Sequence, residues 1–152
     1  MKIYFGHARI TDNAINELYS AVKKSQINGL HEVVLPKDRD SSFDSKEFLK
    51  SCDLMFAEVS IPSTGLGMEI GWAVLYGIKI YCVSRKGSKI SNSLKFITSN
   101  FFEYSTYEEL VEYIEKVVNE IKKWFFVLLL DNLLIGKTLG AFLLEVFFSF
   151  WK

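Results

Sequence analysis

The chain has no net charge to speak of: 18 Lys and Arg balance 18 Asp and Glu. It therefore offers no electrostatic case for nucleic acid as a partner, because such binding rests on a basic face. Cysteine is scarce. Cys52 and Cys82 are far apart and make no metal or redox spacing, so they read as two reduced core thiols of a cytoplasmic protein. Nothing resembles a leader. The opening Lys2-Ile3-Tyr4-Phe5-Gly6 reads as a strand, not as the apolar core of a signal peptide. A disordered composition is also absent, since 49% of the residues are hydrophobic and 15% aromatic. A chain of 152 residues with that content predicts one domain with a real core.

Short apolar runs alternate with helical patterns along the chain. Strands are predicted at residues 3–5, 32–35 (ended by Pro36), 54–59, 79–83 and 101–104. A helix capped by Thr11-Asp12-Asn13 runs to about Ser25, with Ile15, Leu18, Ala21 and Val22 on one face. Short helices are expected over residues 45–52 and 89–98. Ser105-Thr106-Tyr107-Glu108 reads as a capping box, followed by a stripe of Leu110, Val111, Ile114, Val117, Val118 and Ile121. Alternating strands and helices with near-continuous apolar strands imply an α/β fold. Its sheet is parallel, five-stranded and covered on both faces.

Ligands of such sheets bind outside the carboxyl ends of the strands. Four loops meet that edge, at residues 6–9, 37–44, 60–67 and 84–93. Asp53 begins its strand, so it belongs to the opposite edge and is set aside as a catalytic residue. The most informative loop follows the third strand, in Ser60-Ile61-Pro62-Ser63-Thr64-Gly65-Leu66-Gly67-Met68-Glu69-Ile70-Gly71. It reads as a polar turn and a glycine-rich loop, Gly65 and Gly67 included, leading into a helix that opens with Glu69. Free N–H groups at a helix N-terminus suit an anionic or sugar-bearing ligand. Two other readings stand beside this one. The glycines fit a loose dinucleotide fingerprint, with Ser84-Arg85-Lys86 after the next strand, though at the third strand and without room for a substrate domain. Or they serve close helix–strand packing, with Glu69 a solvated helix residue.

Residues 57–71, Ala-Glu-Val-Ser-Ile-Pro-Ser-Thr-Gly-Leu-Gly-Met-Glu-Ile-Gly, resemble the signature of the nucleoside 2-deoxyribosyltransferase superfamily. They are most similar to its branch of 2′-deoxynucleoside 5′-monophosphate N-glycosidases, and the likeness covers about residues 2–122. It implies a flavodoxin-like three-layer domain over residues 1–123 that cleaves the bond between base and deoxyribose. It further implies a homodimer or higher homo-oligomer that needs no metal and no organic cofactor. Glu69 matches the family's nucleophile, a carboxylate that traps C1′ before water or a second base accepts the sugar. Ser63 matches the serine that meets a 5′-phosphate. Nucleoside transferases carry an aspartate there, which would repel it. Ser93 falls at the spacing of a serine that reaches a neighbouring subunit's phosphate; it also reads as an ordinary helix-start serine. Tyr4 matches a family tyrosine and reads equally as a core aromatic. Gly6 belongs to the loop after it.

Departures from the pattern are plain. The branch's Gly-Ser-Ile-Arg-Gly-like phosphate loop is replaced by Gly6-His7-Ala8-Arg9-Ile10-Thr11-Asp12, closer to the transferases. His7 or Arg9 could supply a cation there, although a lone His7 is more often structural. The second acid does not align without a gap: Ser45 holds the strict spacing and Asp44 is one residue away. Asp44 is favoured because it lies on the catalytic edge, with Asp40 behind it. Trp72 shares the helical face of Glu69 and reads as a stacking platform or as a core indole. Glu58 is given a supporting hydrogen bond.

Residues 124–152 are not explained by the resemblance. They are apolar apart from Asp131, Lys137, Glu145 and Lys152, and Asp131, Thr138, Glu145 and Lys152 recur every seven residues. This predicts an extra apolar C-terminal helix with a narrow polar stripe. It is a poor span, since a charge near the middle costs roughly 2.5–3.5 kcal/mol on insertion scales. Packing in an oligomer or domain core, and peripheral contact with a membrane surface, fit about equally.

Overall fold

A computed structural model describes residues 1–8, 12–36 and 43–135. The chain divides into two compact units, Met1–Tyr113 and Ile114–Lys152. The first holds a five-stranded, all-parallel sheet. In chain order its elements are β1 (Lys2–His7), α1 (Asp12–Lys24), α2 (Gln26–Leu30), β2 (Glu32–Val34), α3 (Ser45–Leu49), β3 (Leu54–Glu58), α4 (Thr64–Leu75), β4 (Lys79–Arg85), a 3-10 turn (Asn92–Phe96) and β5 (Phe101–Tyr104); α5 (Tyr107–Ile135) follows and crosses the division. The strand order is β2-β1-β3-β4-β5, the flavodoxin-like arrangement expected from the sequence.

Alternation along the strands builds the layers. Tyr4 of β1 and Met55, Ala57 and Val59 of the β3 segment join Leu49 of α3 and Leu66, Ile70 and Ala73 of α4 in one buried cluster. Register pairs Tyr4 with Met55, Gly6 with Ala57 and His7 with Glu58. The chain reverses its direction of travel across the sheet between β1 and β3, and a crevice at such a switch point is where this fold binds ligands.

Several local expectations are corrected. The glycine-rich stretch is not a loop. It is the first two turns of α4, started by Ser63, whose Oγ accepts from Leu66 N at 3.4 Å. Burial of Leu66, Ile70 and Ala73 offsets a glycine cost of about 1 kcal/mol each relative to Ala. Nor do these glycines serve helix–strand packing. A Cβ built on Gly67 or Gly71 would meet nothing within 4 Å, and one on Gly65 only Ser63 Oγ at 3.9 Å. The helix expected over residues 89–98 shrinks to the 3-10 turn, and α2 appears over residues to which the sequence reading gave no element. The capping box moves by one residue: Thr106 Oγ1 accepts from Glu109 N at 3.3 Å, and Glu109 Oε2 accepts from Ser105 N at 2.7 Å.

In α5, Leu110, Ile114, Val117, Val118 and Ile121 are buried as the stripe predicts, with Val111 intermediate. Trp124, Phe125, Phe126 and Val127 are exposed. The polar stripe expected beyond them lies mostly outside the described residues. Among the described residues no helix is long and apolar enough to cross a membrane.

Candidate active site

Three elements converge on Glu69. It sits in the second turn of α4, partly buried, on the face that α4 turns to β1. Tyr4, fully buried in β1, donates from its hydroxyl to Glu69 Oε1 at 2.8 Å. Gly6, two residues further along β1, makes room for the same carboxylate. A Cβ there would stand 3.1 Å from Glu69 Oε2, 2.8 Å from Met55 Cε and 2.9 Å from Leu66 Cδ1. The third element is α3, whose Leu49 is buried in the cluster that Tyr4 joins and whose Phe48 packs against it.

The electrostatics follow from this packing. Burial raises the Glu69 carboxyl above its ordinary value, and hydrogen bonds from Tyr4 and Ser45 pull it part of the way back. Burial, and then the charge of Glu69, push the Tyr4 phenol well above its ordinary value, so Tyr4 stays protonated and acts as a donor. Phe48 lies against Tyr4 at a ring separation of 6.2 Å, and Phe43 against Phe48 at 5.6 Å. Trp72 is half-buried against the core cluster with Lys46 Nζ 5.8 Å over its ring.

The other residues singled out by the sequence are placed as follows. The Asp44 carboxylate caps α3, accepting from Glu47 N at 3.1 Å, and none of its described contacts is to Glu69. Ser63 is the N-cap of α4, with Gly65 and Gly67 exposed in the first turn. Ser93 is exposed in the 3-10 turn, where its N–H donates to Ser91 Oγ at 3.3 Å; the described contacts do not join it to Glu69. His7 is used internally: Nδ1 donates to Ala8 O at 2.7 Å, and Nε2 accepts from the Tyr19 hydroxyl at 2.6 Å. With both ring nitrogens engaged, the structural reading of His7 holds. Arg9 and Asp40 lie outside the described residues. Asp53 is at the amino edge, where Oδ2 accepts from Lys2 N at 2.7 Å. Both cysteines are free, and burial pushes their thiols up, Cys52 to about 12 and Cys82 to about 11. Among the described residues no group of His, Cys, Asp and Glu could hold a metal ion.

Ser45, which the sequence analysis set behind Asp44, is among the groups that lower the Tyr4 and Glu69 pKa values. Its signal was present, since it stands at the strict spacing of the second acid, but a neighbouring carboxylate drew the assignment. Chemically, the arrangement presents a partly desolvated carboxylate, braced by the Tyr4 hydroxyl, at the switch point between β1 and β3. It suits attack on an electron-poor carbon.

Comparison with known proteins agrees with the family likeness read from residues 57–71. The chain is 29% identical over 108 residues to a Methanococcoides burtonii protein named "Putative 2'-deoxynucleoside 5'-phosphate N-hydrolase 1", a match that spans 62% of this chain and 88% of that one. Its fold is shared with the Clostridium botulinum CMP N-glycosidase BcmB, at a TM-score of 0.55 and 22% identity over 75% of this chain and 99% of that one. A conserved protein from Enterococcus faecalis matches at a TM-score of 0.51 and 20% identity, over 76% and 98% of the two chains. No known protein-family profile matches the chain.

Proposed function

We propose that this protein is an N-glycosidase that hydrolyses 2′-deoxynucleoside 5′-monophosphates to free base and deoxyribose 5-phosphate. The observation that carries the reading is the Glu69 carboxylate, braced by Tyr4 and admitted by Gly6 at the switch point of the sheet. The names of the relatives support the same chemistry.

In this mechanism a Glu69 oxygen attacks C1′ of the sugar. The C1′–N bond breaks, its electron pair leaves with the base, and the base takes up a proton. Water then attacks C1′, the ester to Glu69 breaks, and the carboxylate is regenerated as water gives up its proton. Net configuration is retained. The reaction belongs to residues 1–123. Asp44, at the head of α3 on the same edge, is the proposed second acid, and it must release Glu47 N to reach the leaving base.

The 5′-phosphate is placed at the start of α4. Ser63 Oγ accepts from Leu66 N, and its hydroxyl proton remains to be donated to an anion. The exposed Gly65 and Gly67 let that anion approach the helix terminus, whose partial charge favours it. Ser93 reaches a phosphate from a second copy of the chain in a homo-oligomer. The test is a panel of deoxynucleoside monophosphates and deoxynucleosides, with free base detected and adenine added in one arm. Release of base from monophosphates alone, greatly weakened by Ser63→Asp, supports the reading. Equal cleavage of nucleosides, or transfer of deoxyribose to adenine, replaces it with a nucleoside transferase. Binding without turnover leaves a nucleotide-binding module.

A further inference from the structure

We propose that the outer face of α4 is the surface on which a second copy of this chain docks, helix against helix about a two-fold axis near Gly67 and Gly71. The proposal deepens the homo-oligomer named above and rests on that part of the reading alone.

Helices on the outside of a fold turn polar side chains to water. α1 does so with Asn16, Glu17, Ser20, Lys23 and Lys24, and the start of α5 with Glu108, Glu109 and Glu112. α4 does not. Thr64, Gly67, Met68, Gly71, Val74 and Leu75 follow one another at steps of three and four residues, so they form one face, and all six are exposed. Leu75 is 73% exposed and Met68 52%. No residue of that face is charged. The one charged residue of α4, Glu69, lies on the other side, against Tyr4 of β1.

Two glycines stand four residues apart on this face. Each weakens a helix relative to Ala. A Cβ on either would meet nothing within 4 Å, so nothing among the described residues uses the missing side chain. A second backbone would use it. Outward glycines let another helix come to the near end of the usual axial separation of roughly 8–10 Å.

The absence of charge selects the occupant. About a two-fold axis each residue faces itself or a close neighbour on the copy, so a charge placed there meets its like. A different protein sets no such condition, and charge of one sign would help to orient it. A lipid surface calls for Lys or Arg beside the apolar face. An uncharged face with Met and Leu around two glycines fits a copy of itself. The 3-10 turn belongs to the same region. Its Leu94 is buried in the cluster that holds Ala73 of α4, and its Phe96 is 93% exposed. Ser93 adjoins Leu94, so a copy docked along α4 brings its own Ser93 alongside the helix that Ser63 starts.

The test is sedimentation velocity of the full chain over a range of concentrations. Wild type is expected to form an even-numbered assembly, a dimer in the simplest case. Met68→Glu with Leu75→Glu, and separately Met68→Lys with Leu75→Lys, should each halve its mass and leave the far-UV circular dichroism unchanged. Mixing the two double variants should restore the wild-type species, because opposite charges then meet across the axis. Should a double variant fail to fold, Gly71→Ala adds one methyl to open space in the single chain. Its dissociation constant should rise about tenfold, the effect of a methyl forced into a packed contact. Four results overturn the interface: a monomeric wild type, an assembly unchanged in the folded double variants, one that mixing does not restore, or Gly71→Ala that associates as well as wild type. A monomer that binds vesicles of anionic lipid, and loses that binding in the Glu double variant, gives the face to a membrane instead and overturns it too. A wild-type dimer that behaves as expected but releases no base from nucleotides would sink the N-glycosidase reading and leave the interface standing.

Discussion

Glu58 and Glu69 both stand at the carboxyl edge of the sheet, on opposite faces and in different company. Glu58 ends β3 on the face away from Ala57 and is only 3% exposed. Its Oε1 accepts from the Ser60 hydroxyl, from Ser60 N at 3.4 Å and from the Tyr104 hydroxyl at 3.1 Å. Ser60 Oγ in turn accepts from Arg85 N at 2.7 Å, and the Arg85 guanidinium lies over the rings of Tyr104 and Tyr107. That carboxylate ties β3, β4 and β5 together. Glu69 has the Tyr4 hydroxyl as its partner, a glycine beneath it and partial exposure to solvent. A fully buried acid whose donors join neighbouring strands serves the fold. One held by a single donor and left partly open is free to do chemistry.

The largest expected effect separates the two. Glu69→Gln should lower turnover by roughly 10³-fold or more with no loss of stability. Glu58→Ala should do the reverse. It strands the donors of Ser60 and Tyr104 and should cost about 2–3 kcal/mol of stability, read by denaturant unfolding. A normal melt for Glu58→Ala, or full turnover in a folded Glu69→Gln, would break the contrast.

Asp44→Asn sharpens it at the next level. Asn caps a helix as well as Asp does, so stability should hold to within a few tenths of a kcal/mol. As the second acid, the variant should lose about 10²-fold in turnover, whereas Asp53→Asn at the amino edge should lose none. Turnover unaffected by Asp44→Asn would leave that carboxylate a cap only.

Gly6→Ala should cost about 1–3 kcal/mol, because the new methyl meets the mobile ends of Met55, Leu66 and Glu69. Displacement of Glu69 should make kcat fall more than KM rises; a neutral variant would show that the carboxylate is not held against β1.

The smallest effect is on pH and stability. The folded-state pKa of Glu69 is raised, so its protonated form is the one that folding favours. The stabilisation is full below the unfolded value, about 4.3, and is lost as pH rises through the folded value. Glu69→Gln lacks that loss. Its melting temperature relative to wild type should therefore climb over this acid window and then level off towards neutral pH. A difference independent of pH would mean that the carboxyl is not perturbed.

Much of this was legible in the sequence, for local reasons. Apolar runs marked the strands, Pro36 closed the second of them, and the 3.6-residue stripe in α5 appears where it was expected. The parallel sheet followed from that alternation, and Glu69 and Ser63 from a contiguous motif. What only the tertiary structure decided depends on residues distant in the chain. Glycines that predict a loop became helix once α4 could bury Leu66, Ile70 and Ala73, a gain invisible to local propensity. The bond between Tyr4 and Glu69 spans 65 residues and leaves no periodic trace. The place of Asp44 was set by where α3 begins. Capping sent the Asp44 side chain back along its own helix onto Glu47 N. Sequence spacing can name both Asp44 and Ser45, but only the folded chain shows what the Asp44 carboxylate meets, because a cap depends on where the helix begins.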